Sequence, residues 1–260
     1  MGTVEDHNRK AWDLQVEKGN EWSVPVGPEA VERARRGIVE LVLTPTRVVP
    51  KAWYGEIPGR DVLCLASGGG QQAPILAAAG ANVTLLDNSP AQLAQDRRVA
   101  EREGLAIRLE LGLMADLSRF EEESFDLIFH PVSNCFVPDV NPVWRECFRV
   151  LKPGGALLAG MLNPVFYCFD WEKLEKGQVE VAYKLPYADV TSLDAGNLAR
   201  HRESGEGLEW SHSLDDQIGG QLAAGFLLAG FFEDRFEPGV IDALNDYFPT
   251  FVATRAVKPR

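Results

Sequence analysis

Two observations in the 260-residue sequence predict an α/β fold built on a mostly parallel sheet. Short apolar runs alternate with segments of helical spacing, the pattern of strands buried on both faces by crossover helices. The first such run meets Ser67-Gly68-Gly69-Gly70, a strand-to-helix loop rich in glycine. A composition of 45% hydrophobic and 25% charged residues is that of a globular protein able to bury a core without covalent staples.

In order along the chain, residues up to about 60 read as helical with breaks. Gly27-Pro28 opens a stretch with Val31, Ala34, Ile38 and Leu41 at helical spacing, and Thr44-Pro45 ends it. Asp61 to Ala66 reads as a buried strand, and the Ala-rich stretch Gln71 to Ala79 as a helix whose Pro74 fits only a first turn. Asn82 to Asp87 is a second strand. Ser89-Pro90 then supplies an N-cap and a proline at the first helical position, and Gly104 stops that helix after Glu103. Ile107 to Leu111 and Phe125 to His130 are strands three and four, and Pro142 to Leu151 a short helix. Lys152-Pro-Gly-Gly155 reads as a turn into strand five, Ala156 to Met161. Between Leu162 and Ser211 no period dominates and aromatic residues are frequent. Ser213 to Asp216 looks like a capped, acidic helix start running to Ala224; Gly225 ends it, and strands follow at Phe226 to Phe232 and Phe251 to Val257. The absence of a linker or repeat favours a single domain, 1–260, with an N-terminal segment, 1–50, and an insertion, 162–211.

Charge and cysteine content narrow the function classes. Twenty-six basic against 38 acidic side chains give −12, the wrong sign for a partner held by its phosphates, so nucleic acid is not expected. Four cysteines without C-x-x-C spacing suit a reducing compartment rather than zinc or a redox motif. The start lacks the basic and apolar regions of a leader, and no apolar run reaches the length of a membrane span. A cytoplasmic chain, monomer or homodimer, is expected, with no metal site.

The chemistry concentrates at the glycine loop. A strand-to-helix junction offers backbone N–H groups and a helix dipole to a negatively charged ligand, and glycines let the ligand approach. Gly68-x-Gly70-x-x-Ala73 matches the dinucleotide fingerprint, and Asp87, ending the next strand, is placed to accept both hydroxyls of a ribose. Taken alone, the glycines are equally a tight turn; with the strands and Asp87 they point to a nucleoside site.

Val62 to Gly70, Val83 to Asp87, Ala115-Asp116, Phe125 to Phe129 and Val150 to Gly155 together resemble the class I S-adenosylmethionine-dependent methyltransferases, of the type 11-like group. The likeness covers residues 60–160 and extends to Ala224-Gly-Phe226 and the two last strands. It implies a seven-stranded Rossmann-like sheet in the order 3-2-1-4-5-7-6, with strand 7 antiparallel and helices on both faces. The resemblance places Ala66, Ser67, Gly68 and Gly70 at the amino-acid end of the cofactor, S-adenosyl-L-methionine. It places Asp87 and Asn88 at the ribose, Gln92 nearby, Asp116 at the adenine amino group, Leu117 on the ring, and His130 by the methionine portion. Two positions depart from the family pattern: Cys64 stands where an acid is common, and Ala66 where the first glycine is.

Methyl transfer from a sulfonium needs alignment and exclusion of water, with a general base for some acceptors. His130 is the first candidate base and His212 the second, a structural histidine being an equal reading of His130. The N-terminal segment is expected to act as a lid, in which Trp22, Trp53 or Tyr54 either line the site or simply pack. Segment 162–211 is expected to wall the acceptor, a small molecule. The competing readings are an NAD-dependent oxidoreductase and a catalytically idle cofactor-binding protein.

Overall fold

The structure, a computed structural model, describes residues 3–260. The chain begins with α1 (Val4–Lys18), capped by Thr3, whose hydroxyl accepts the Asp6 N–H at 3.2 Å, and closed by Gly19 at φ +70°. A 3-10 turn, Glu21–Ser23, leads to α2 (Pro28–Arg35). This helix stops short of the stretch that apolar spacing suggested, because Gly37 turns the chain at φ +81°. Leu41 and Leu43 are buried all the same, from an irregular segment rather than a helix face. After the single turn α3 (Lys51–Tyr54), the alternation of strands and helices begins.

Strand β1 (Asp61–Leu65), helix α4 (Gln72–Ala78), strand β2 (Asn82–Asp87) and helix α5 (Pro90–Glu103) follow one another as expected. Ser89 caps α5 by accepting the Gln92 N–H at 3.0 Å, and Gly104 ends it in the left-handed conformation. β3 (Ile107–Leu111), β4 (Phe125–His130), α6 (Asn141–Val150) and β5 (Leu151–Leu162) complete the alternation. Lys152 to Gly155 is not a turn between helix and strand. It is an excursion inside β5, since Phe125 pairs with Leu151 and Leu127 already pairs with Ala156. The excursion is pinned where Lys152 Nζ reaches Asp61 Oδ2 at 2.7 Å and Asp126 Oδ2 at 3.1 Å.

Segment 162–211 carries a 3-10 turn, Pro164–Cys168, and three short helices: α7 (Trp171–Glu175), α8 (Asp189–Ser192) and α9 (Ala195–Ser204). Ser213 then caps the next helix, donating its hydroxyl to Asp216 Oδ2 at 2.6 Å and accepting the Asp216 N–H at 3.0 Å. That helix starts with a π turn, Asp215–Gly219, and continues as α10 (Gly220–Ala223). β6 (Leu227–Asp234) and β7 (Phe251–Val257) finish the sheet.

The sheet order is β3-β2-β1-β4-β5-β7-β6, with β7 antiparallel to both neighbours. Alternation along each central strand builds two cores. Val62, Cys64, Leu127 and Phe129 face one, and Leu63, Leu65, Ile128 and Trp144 belong to the other. Between α2 and α3 the chain crosses β5 at backbone contact: a Cβ on Gly160 would collide with the Leu43 carbonyl oxygen. That carbonyl also accepts the Val132 N–H at 3.2 Å, fixing the segment beside the C-terminal end of β4.

Candidate active site

A cavity of about 1270 Å³ opens at the C-terminal ends of β1 and β2. Its floor includes Ala66, Ser67, Gly68, Asp87, Asn88 and Gln92, its near wall α1 and Trp22, and its far wall residues of segment 162–211. Two backbone positions shape the floor. Ala66 sits at φ +47°, so the left-handed conformation that favours glycine is kept by an alanine. Gly68 has no room for a side chain, because a Cβ there would lie 2.7 Å from Gln92 Cβ and 3.0 Å from Asp87 Oδ2.

The N–H groups of the glycine loop divide between two carboxylates. Asp87 Oδ2 accepts the Gly68 N–H at 2.9 Å, while its Oδ1 accepts that of Ser89 at 2.9 Å. Asp96, on α5, takes the N–H groups of Gly69 at 2.9 Å and Gly70 at 3.0 Å with its Oδ2. Those two amides therefore point away from the cavity, into the protein. Gly70 lies outside the cavity wall, and its role is conformational: at φ +77° it meets Pro25, whose Cβ would be 2.8 Å from an added side chain.

Sequence motifs do not single out Asp96, an acid among Gln92, Leu93, Gln95 and Val99 on the buried face of α5. Burial pushes its carboxyl up to about 7 against the pull of the two amides. The same carboxylate, after burial itself, raises the neighbouring Cys64 thiol. Cys64, standing where an acid is common, therefore has a carboxylate near it from α5, behind the loop.

The residues at the loop fit S-adenosyl-L-methionine. Each Asp87 oxygen spends one lone pair on a backbone amide, which leaves acceptor capacity on the cavity side for a ribose diol. Burial raises the Asp87 carboxyl, and the backbone N–H groups oppose that rise. Ser67 and Gln92 belong to the cavity lining, and among the described residues their Oγ and Oε1 are buried without a hydrogen-bond partner, which leaves both atoms with unused acceptor capacity. Gln92 Nε2 donates to Ser23 Oγ at 2.6 Å, and Asn88 Nδ2 to the Glu5 carbonyl at 2.9 Å, which joins the floor to the N-terminal segment.

Other expected site residues lie elsewhere. Asp116 is exposed and accepts the Ser118 N–H at 3.1 Å, the role of a turn cap, and Leu117 is buried in the core behind α6. Leu113, Met114 and Ala115 line the cavity in their place. His130 has no exposed surface and stands outside the cavity wall. Its Nδ1 donates to the Leu65 carbonyl at 2.9 Å, Trp144 packs edge-on at 6.0 Å, and burial drives it down to about 4. Enclosed behind the wall, the ring does not reach the cavity in this arrangement. His212 also stands outside the wall, buried at φ +44° with Nε2 donating to the Asn134 carbonyl at 3.1 Å; burial lowers it too. Of the three early aromatics, Trp22 lines the cavity, while Trp53 packs on Phe232 at 5.0 Å and Tyr54 is buried near Val39.

The far half of the cavity is aromatic and acidic. Tyr167 and Tyr187 stack at 5.4 Å, with Tyr183 edge-on to Tyr187 at 5.2 Å. Tyr167 donates its hydroxyl to Glu209 Oε2 at 2.6 Å, and Tyr187 to Asp189 Oδ1 at 2.6 Å. Asp189 Oδ2 accepts the Glu209 N–H at 2.7 Å and has His201 Nε2 at 3.4 Å. No local pattern marks Glu209, which stands between Leu208 and Trp210 in a stretch without period. Among the described residues, no group of His, Cys, Asp and Glu is placed to hold a metal ion, and no helix is long and apolar enough to cross a membrane.

Comparison with known proteins agrees with this geometry. The methyltransferase domain family matches residues 63–159. The uncharacterized methyltransferase YbaJ of Bacillus subtilis is 51% identical over 258 residues, 99% of this chain and 100% of the relative. Among solved structures, an S-adenosylmethionine-dependent methyltransferase of Mesorhizobium loti aligns with TM-score 0.59 at 20% identity, covering 80% of this chain and 94% of its own. The Burkholderia thailandensis 1,6-didemethyltoxoflavin-N1-methyltransferase aligns over 100% of this chain and 92% of its own, with TM-score 0.58 and 14% identity. With the sheet order, the glycine loop over Asp87 and a full-length relative in agreement, the chain belongs to the class I S-adenosylmethionine-dependent methyltransferase family.

Proposed function

We propose that this protein transfers a methyl group from S-adenosyl-L-methionine to a small-molecule acceptor by in-line displacement. The reading rests above all on one cavity that runs from the Gly68–Asp87 floor to the aromatic wall of segment 162–211, so both ligands share one space. The cofactor, when bound, supplies an electrophilic methyl on a sulfonium. The protein's own share is to bind and to orient. Asp87 receives the ribose hydroxyls, Asn88 and Gln92 flank them, and Ala66, Ser67 and Gly68 border the amino-acid end. Holding the two reactants in line is worth about 7–11 kcal/mol in favourable cases.

In this reading the chain is a single methyltransferase domain in which residues 1–50 form the lid and 162–211 the acceptor wall. Support for the lid comes from α1, which touches both sides of the cavity. Asp13 Oδ1 accepts the Ser89 hydroxyl at 2.6 Å, and Asn8 Nδ2 donates to the carbonyls of Phe136 and Leu208, each at 3.0 Å. Calorimetric titration with S-adenosylhomocysteine and with NADH, side by side, tests the reading. We expect binding of the first and none of the second; tight NADH binding with no response to S-adenosylhomocysteine would overturn it.

A further inference from the structure

We propose that Glu209, oriented by Tyr167, is the acceptor-side base of the cavity, and that its ligand is a planar aromatic molecule, not an anion, carrying an N–H or O–H. The inference rests on the methyl-transfer reading and deepens it. Both histidines that sequence reasoning favoured are enclosed outside the cavity wall, whereas Glu209 is part of that wall. Its carboxylate is used on one side only. Oε2 accepts the Tyr167 hydroxyl, and among the described residues Oε1 makes no hydrogen bond. A carboxylate fixed through one oxygen and free at the other has the geometry of a group that waits for a donor.

The surroundings tune that group. Burial first, then Asp189 and Glu206, push the Glu209 carboxyl up to about 7, while Tyr167 and His201 pull it down. Tyr187 faces Asp189, and the buried Cys135 thiol touches Tyr167. A base poised near neutral pH is the efficient kind for abstracting a proton.

The walls select the acceptor. Tyr167, Tyr183, Tyr187, Trp12, Phe136 and Phe166 present rings to the cavity, and rings grip a flat ligand by offset stacking or edge contacts. Asp170, Glu172, Asp189, Glu206 and Glu209 outnumber Arg9, Arg200 and His201 around the cavity, so an anionic acceptor is disfavoured. In the transfer, the acceptor's proton passes to Glu209 Oε1 and the pair of its N–H or O–H bond joins the methyl carbon. The pair of the broken carbon–sulfur bond stays on sulfur, which leaves neutral. The carboxylate is neutralised in the same event and returns its proton to water.

Matched probe pairs test this without the natural acceptor: 2-naphthol against 2-methoxynaphthalene, and indazole against 1-methylindazole, titrated into protein saturated with S-adenosylhomocysteine. We expect at least one protic member to bind roughly tenfold more tightly than its methylated partner. Glu209→Gln should reduce that preference to within about twofold and leave S-adenosylhomocysteine affinity unchanged, which also shows that the variant is folded. Tyr167→Phe should weaken protic binding and raise the pH midpoint at which it is lost on acidification. No preference in any pair, or a preference that survives in Glu209→Gln, overturns the proposal. Failure of S-adenosylhomocysteine to bind the unaltered protein would overturn the methyl-transfer reading instead.

Discussion

Residues 60–160 and the pair of segments 1–50 and 162–211 build opposite halves of one cavity by different means. The first half is specified by neighbours in sequence: Ser89, Pro90 and Gly104 set the bounds of α5, and the glycine loop directly follows β1. The second half is held by contacts between distant residues. Asn8 on α1 bonds Leu208, and Tyr167 bonds Glu209. The contrast teaches that the glycine-loop floor is a local design, whereas the far wall of the cavity exists only once the chain has closed on itself.

The strongest test asks whether the floor is local after all, since Asp96 ties the glycine loop to the middle of α5. Asp96→Ala should cost about 2–4 kcal/mol in urea unfolding, because two buried amides lose their acceptor. The sign with pH is unusual for an acid. Burial holds the folded carboxyl at about 7, above its unfolded range, so the folded protein takes up a proton first and gains stability as pH falls through 7. Relative to Asp96→Asn, the unaltered protein should therefore gain stability from about pH 8 to about pH 5. A flat difference would mean that Asp96 is not held protonated by burial.

Asp87 probes binding within the same half. Asp87→Ala should lose about 1.5–3 kcal/mol of S-adenosylhomocysteine affinity by calorimetry, as for a hydrogen bond to a charged group. Unchanged affinity would remove Asp87 from the floor.

The acceptor half is tested at its latch. Asn8→Ala deletes three hydrogen bonds, two to carbonyls and one from the Leu208 N–H. We expect local opening to become easier by about 2 kcal/mol, read as faster hydrogen exchange at the Leu208 amide, with little change at Leu63 in β1. Equal acceleration at both sites would erase the distinction between the halves. The smallest effect belongs to Ala66→Gly, which relieves a left-handed alanine and should stabilise by about 1 kcal/mol or less.

The same distinction explains what was legible in the sequence. Strand and helix bounds in the first half follow from capping, proline and glycine chemistry acting over a few residues, and the sheet order followed from the resemblance those motifs carry. Asp87 was legible because it ends a strand. Asp96 was not, because its partners lie 26 and 27 residues away and only the packed loop brings them together. His130 reads as a strand-end residue facing a site, yet Trp144 and the Leu65 carbonyl enclose it. Lys152 to Gly155 has the composition of a turn, and only pairing with β4 on both sides makes it part of a strand. Glu209 owes its setting to Tyr167 and Asp189, which no local pattern links to it.

The crossing at Gly160 offers a handle on the cavity that touches none of its ligand-facing atoms. Leu43 sits against that glycine with backbone contact, and Val42 to Pro45 form part of the cavity rim. A single methyl at position 160 acts as a wedge beneath the rim. Because the obstacle is backbone rather than a yielding side chain, segment 42–45 or β5 itself has to shift, and the Leu43 carbonyl that holds the Val132 N–H shifts with it, while Asp87 and Glu209 stay chemically intact.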